Sequence, residues 1–147
     1  MFRFLVSLRH RLSELFTLNS GMPQYKIILA VDDDPDDLEI FSEAVRSIDP
    51  EIRLITKQDG LEAIQFLQND TELPDIVFLD INMPNLSGKE CLKLIRSMPH
   101  CKDTRVIMHS TTSNEKEIEI YQQMGAEFVT KHSSFERLVT EIADILN

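Results

Sequence analysis

The 147-residue sequence predicts an α/β fold: one sheet of five parallel strands with helices on both faces. Three observations carry this. From Lys26 onward, strand-length apolar runs alternate five times with segments of helical periodicity. The connections are short, and right-handed crossovers between parallel strands place each helix over the sheet. Two runs, ILAV and IVFL, are almost wholly apolar, as strands buried on both faces must be.

The elements follow in order. KIILAV (26–31) is the first strand and LEIFSEAVRSI carries the first helix; IRLIT (52–56) is the second strand, followed by GLEAIQFLQN with Leu61, Ile64 and Leu67 at helical spacing. DIVFLD (75–80) is the third strand, and after the turn MPNLSG comes the helix KECLKLIRSM. TRVIMHS (104–110) is the fourth strand, with a helix from about Asn114 to Met124; AEFVT (126–130) is the fifth, and FERLVTEIADIL ends the chain as a helix.

The length suits one domain with a real core. Residues 1–24 read as an extension and 25–147 as the folded unit. Within the extension, Phe4, Leu5, Leu8, Leu12, Leu15 and Phe16 share one side of a helical wheel, while Arg3, Ser7, His10, Arg11 and Glu14 share the other. Residues 2–18 are thus a candidate dimer or membrane-surface contact; the plain alternatives are a helix packed on its own domain, or an upstream extension of a chain that starts at Met22. Arg9, His10 and Arg11 break the apolar core that a secretory signal needs. The extension carries +2, which leaves −12 on the rest of a chain of net charge −10. So acidic a body argues against nucleic-acid binding and for cationic partners. Cys91 and Cys101 fit neither a disulfide framework nor a zinc spacing and read as reduced thiols in a cytoplasmic protein.

In such sheets a ligand site lies beyond the carboxyl ends of the strands, where the strand order switches. Asp32 and Asp33 stand there after the first strand, Asp80 after the third, Ser110 after the fourth and Lys131 after the fifth. Asp32 and Asp33 belong to VDDDPDD (31–37), whose five carboxylates repel one another unless something compensates. Three carboxylates at one site need a cation, and oxygen donors without His or Cys favour Mg²⁺ or Mn²⁺ over zinc. The rest of the run suits helix chemistry: Asp34 as the cap, Pro35 as the opening residue, Asp36 and Asp37 in the first turn. An Asp carboxylate can attack phosphorus; a lysine then neutralises the phosphoryl oxygens and a hydroxyl donates to one of them. Asp80, Lys131 and Ser110 fit those roles in turn.

ILAVDDDPDD, IVFLDINMPNLSG, VIMHSTTSN and GAEFVTKH, in this order and spacing, resemble the receiver domain of two-component response regulators, over residues 26–146. The resemblance implies a (βα)5 flavodoxin-like fold of strand order 2-1-3-4-5, of the chemotaxis single-domain type. It implies that Asp80 is the phosphoacceptor, that Asp33, Asp80 and the main-chain carbonyl of Asn82 hold the metal, and that Asp32 joins through water. Ser110 matches the hydroxyl that follows the phosphoryl group, Phe128 the aromatic switch and Lys131 the lysine that pairs with phosphate. The implied donor is a sensor histidine kinase or phosphotransfer protein, and the implied output is phosphorylation-dependent binding of a downstream protein through the fourth helix, fifth strand and fifth helix. Such a protein catalyses only its own phosphorylation and dephosphorylation. With no residues left for an output domain, the chain reads as a stand-alone receiver.

Two positions depart from the family's usual pattern. His132 stands where a cis-proline commonly follows the lysine, which makes the loop trans or strained and puts the aim of Lys131 in question. Ser87 replaces a frequent Asp and can still cap the third helix. Asn82 and Thr112 occupy the positions tied in this family to phosphate lifetime. Plainer readings stand beside these: Phe128 as core packing, His109 as a sheet residue facing a helix or solvent, and Glu115, Glu117 and Glu119 as a solvated face. Two rival functions remain. One is a receiver-like adaptor that works without phosphorylation; the other is an aspartate-nucleophile phosphatase, disfavoured because DIN follows the third strand where DxDxT would be needed after the first.

Overall fold

The computed structural model describes residues 25–69, 71–112 and 114–147; the extension of residues 1–24 and its amphipathic pattern lie outside them. The elements are β1 (Ile27–Val31), α1 (Pro35–Ile48), β2 (Arg53–Lys57), α2 (Gly60–Gln68), β3 (Ile76–Leu79), α3 (Gly88–Ser97), β4 (Arg105–Ser110), α4 (Glu115–Gln123), β5 (Glu127–Thr130) and α5 (Phe135–Leu146). All pairings are parallel and the order is β2-β1-β3-β4-β5, as the sequence led us to expect.

The two-residue period of the strands divides the core into two layers. Ile28, Ala30, Ile76, Phe78 and Ile107 face α1 and α5, where Phe41 meets Phe78 edge to face at 4.8 Å. Leu29, Val31, Val77, Leu79, Val106 and Met108 face α2, α3 and α4. Each such buried aliphatic side chain contributes roughly 1.5–3 kcal/mol, so the central strands anchor the molecule.

Each helix begins with a side-chain cap: Asp34, Asp59, Ser87, Asn114 and Ser134 accept main-chain N–H groups of the turns that follow. At α3 Ser87 and Glu90 form a reciprocal capping box. Because each helix starts just after a strand ends, all five positive helix termini gather at the sheet edge where the acidic residues lie.

The opposite edge is tied by two polar anchors. Asp75 Oδ2 accepts the N–H groups of Lys26 and Ile27 at 2.8 and 2.9 Å, which joins the starts of β1 and β3. Arg105, at the foot of β4, grips Glu127 of β5 with two bonds of 2.8 and 2.7 Å and also donates to the Tyr25 hydroxyl and the Ile145 carbonyl, both at 2.8 Å. The bond from Arg105 holds the Glu127 carboxyl below the ordinary range. One turn of 3-10 helix at Pro99–Cys101, opened by the proline, was not expected from the sequence.

Candidate functional site

The parallel ladder runs one residue past the strands that carry the acids. Asp80 N–H donates to the Val31 carbonyl at 3.0 Å and Asp32 N–H to the Lys57 carbonyl at 3.1 Å, so both side chains leave from a fixed main chain. Gly88 presses the start of α3 against the exit of β3: its N–H donates to the Ile81 carbonyl at 2.9 Å, and a Cβ there would strike the Asp80 carbonyl oxygen. No residue other than glycine fits that approach without moving Asp80.

Carboxylate oxygens of Asp32, Asp33 and Asp80 lie within 4.8 Å of one another. Asp32 and Asp80 are 8% and 9% exposed; Asp33 is open to solvent. Asp32 uses both oxygens, accepting the Asp34 N–H at 3.0 Å and the Lys131 ammonium at 2.6 Å. The same ammonium is 3.6 Å from Asp80 Oδ1 and 3.5 Å from Asp37 Oδ2.

Burial pushes the Asp80 carboxyl up to about 6; Lys131 and the Ile81 N–H pull it down, and Asp32 and Asp33 raise it further. Burial alone would depress Lys131, but its bond to Asp32 and the charges of Asp32, Asp80 and Asp37 outweigh that and hold it above the ordinary lysine range. Three carboxylates, Asp32, Asp37 and Asp80, therefore face one ammonium, with Asp33 beside two of them. An all-oxygen donor set with excess negative charge and one open member fits a hard divalent cation.

The remaining expected residues lie on β4, on β5 and in the loop after β3. Ser110 is 1% exposed; its carbonyl accepts the Lys131 N–H at 2.8 Å, and its hydroxyl accepts the Thr112 N–H at 3.4 Å. From Thr112 the bonds continue outward: its hydroxyl donates to Glu117 at 3.3 Å, and Glu117 accepts the buried Tyr121 hydroxyl at 3.0 Å. Phe128 pairs in register with Met108 and packs, partly buried, on the α2–α4 side of the sheet. Asn82 is exposed two residues past Asp80. His109 packs on the other face, 6.3 Å from both the Phe41 and Phe78 rings, where burial and the nearby Lys131 and His132 lower it to about 4 and keep it neutral.

Asp37 departs from the sequence reading. It lies in the first turn of α1, as expected of helix chemistry, yet its carboxylate also faces Lys131, so VDDDPDD divides less cleanly than two functional acids and three capping ones. The Lys131–His132 peptide is trans, and Lys131 still reaches Asp32. Gly88, the Thr112–Glu117–Tyr121 chain and the pairing of His132 with Glu141 were missed. Only the four-residue spacing of Glu117 and Tyr121 signals a contact in advance.

The order 2-1-3-4-5, with an acidic cluster that could hold a cation at the carboxyl ends of the neighbouring strands β1 and β3, defines a flavodoxin-like α/β domain. Within that class, the response regulator receiver domain matches residues 28–143, and the chain belongs to this family. Response regulator Rcp1 of Synechocystis sp. is 33% identical over 98 residues, which cover 63% of this chain and 67% of Rcp1. The sensor histidine kinase CheAY of Helicobacter pylori is 27% identical over 127 residues, but the matched part is 16% of its length, so the longer relative carries much that this chain does not span. Among solved structures, the phosphorylated cyanobacterial phytochrome response regulator RcpA superposes with a TM-score of 0.76 at 28% identity, covering 82% of this chain and 91% of RcpA. The Mn²⁺-bound form of Rcp1 gives 0.73 at 28% identity with the same coverages, 82% and 91%. No helix among the described residues is long and apolar enough to cross a membrane.

Proposed function

We propose that this chain accepts a phosphoryl group on Asp80 from a histidine kinase or phosphotransfer protein, in an Mg²⁺- or Mn²⁺-dependent reaction, and signals by binding a downstream protein. The observation that carries this reading is the Asp80 carboxylate itself, nearly buried, 3.6 Å from a lysine ammonium and beside two further acids. The likeness to a phosphorylated RcpA and a Mn²⁺-bound Rcp1 supports it.

In the proposed reaction an Asp80 oxygen bonds to phosphorus as the phosphorus–nitrogen bond of the donor's phosphohistidine breaks, and the released imidazole takes up a proton. Asp33, Asp80 and the Asn82 carbonyl, with Asp32 beside them, would hold a divalent cation, which would supply positive charge to the phosphoryl oxygens. Lys131 turns its ammonium from Asp32 toward the phosphoryl group, and the Ser110 hydroxyl donates to it. Drawing Ser110 inward pulls on Thr112, and through Glu117 on Tyr121, which gives α4 a hydrogen-bonded reason to shift. Phe128 then turns within the space this opens, and α4, β5 and α5 form the readout face. This domain works as a cytoplasmic receiver, with no catalysis beyond its own phosphorylation and dephosphorylation. Incubation with acetyl phosphate and Mg²⁺ should add one phosphoryl mass to the wild type and none to Asp80→Asn. No gain on the wild type, under conditions that label another receiver, would sink the proposal and favour a phosphorylation-independent adaptor.

A further inference from the structure

Lys131 reaches the acids from a link of four residues, 131–134, between β5 and α5. Its main-chain N–H is fastened to the Ser110 carbonyl at 2.8 Å, which anchors the chain as it leaves the strand. The next residue supplies a second tie. His132 Nε2 lies 3.0 Å from Glu141 Oε1, two turns into α5, with side chains only 29% and 24% exposed. The other oxygen, Glu141 Oε2, is buried with no hydrogen-bond partner among the described residues. A half-satisfied carboxylate at that depth costs stability, so its value has to be sought elsewhere.

We propose that His132 and Glu141 are positioning residues for Lys131. Their pair clamps the peptide after Lys131 onto α5 and so aims the ammonium at Asp32 and Asp80. The clamp rests on the reading of Asp80 as phosphoacceptor, because only there does the aim of Lys131 affect a reaction. Without it the lysine keeps its charge, but its main-chain bond to the Ser110 carbonyl opens more often and the ammonium loses a fixed direction, and a small misalignment of a charged group at a reacting centre is costly in rate.

The test uses the full chain and three variants. Glu141→Leu removes the unsatisfied oxygen along with the clamp, so its urea midpoint should equal or exceed that of the wild type. Its rate of labelling by acetyl phosphate should nevertheless fall, by about tenfold. Mg²⁺ affinity, followed by calorimetry, should stay at the wild-type value. His132→Ala should show the same loss of rate, whereas His132→Gln, whose amide can donate to Glu141 from near the Nε2 position, should recover most of it. Hydrogen exchange at the Lys131 amide should speed up in Glu141→Leu and His132→Ala and remain slow in His132→Gln. Wild-type labelling rates in Glu141→Leu and His132→Ala would overturn the proposal, as would a loss that merely follows urea stability. If the wild type itself takes no label, the phosphoacceptor reading fails separately, and Lys131 amide exchange alone decides the clamp: unchanged exchange refutes it.

Discussion

At Asp80 the fold works against its own residue. A carboxyl raised from 3.8 to about 6 favours the folded state when protonated, so its contribution is complete below pH 4 and is lost as pH rises through 6. A rise of that size corresponds to roughly 3 kcal/mol against the folded state at pH 7. Asp80→Asn should therefore raise the urea midpoint at pH 7, with the gap closing toward pH 4. Mg²⁺ should stabilise the wild type much more than the variant. Gly88 presents the opposite case, a residue chosen for what it lacks. Gly88→Ala should cost about 3 kcal/mol through a main-chain clash and weaken Mg²⁺ binding by shifting Asp80, seen in urea melts and calorimetry.

Helices and strands were legible wherever a local signal and a tertiary need coincided. ILAV and IVFL announce buried strands because nothing polar interrupts them, and Asp34 and Ser87 announce helix starts because a short acceptor precedes an apolar period. The gathering of Asp32, Asp33, Asp80 and Lys131 could be read from the sequence because parallel strands deliver their final residues to one edge. Asp37, Gly88 and the pair of His132 with Glu141 could not, since each depends on distances between elements far apart in sequence. Two predictions belong to single elements. Ser87→Ala should remove about 1 kcal/mol by opening the capping box of α3, measurable by urea melts. In an alkaline absorbance titration, one tyrosine should ionise only near pH 12, because burial and the bond to Glu117 oppose its charge; Tyr121→Phe should abolish that late step.

For the molecule as a whole, a net charge of −10 predicts that association with a basic partner slows as salt rises, which stopped-flow mixing can follow. Arg105 matters at this scale as well, because it joins β4, β5, Tyr25 and the end of α5 at one point. Arg105→Met should lower stability by about 3 kcal/mol, leaving the Glu127 and Ile145 oxygens without their donor. That clamp has a mechanical consequence. β4 and β5 are riveted at one end and carry Ser110 and Lys131 at the other, and since β4 pairs with β3 through Met108, only the short end beyond that residue is free to bend, as the tip of a supported beam. A pull at the free tip bends it most near α4 and least near Tyr25 and Ile145. A segment joined at those riveted residues stands on the still end of the beam, whereas a protein resting on the tip receives the full deflection.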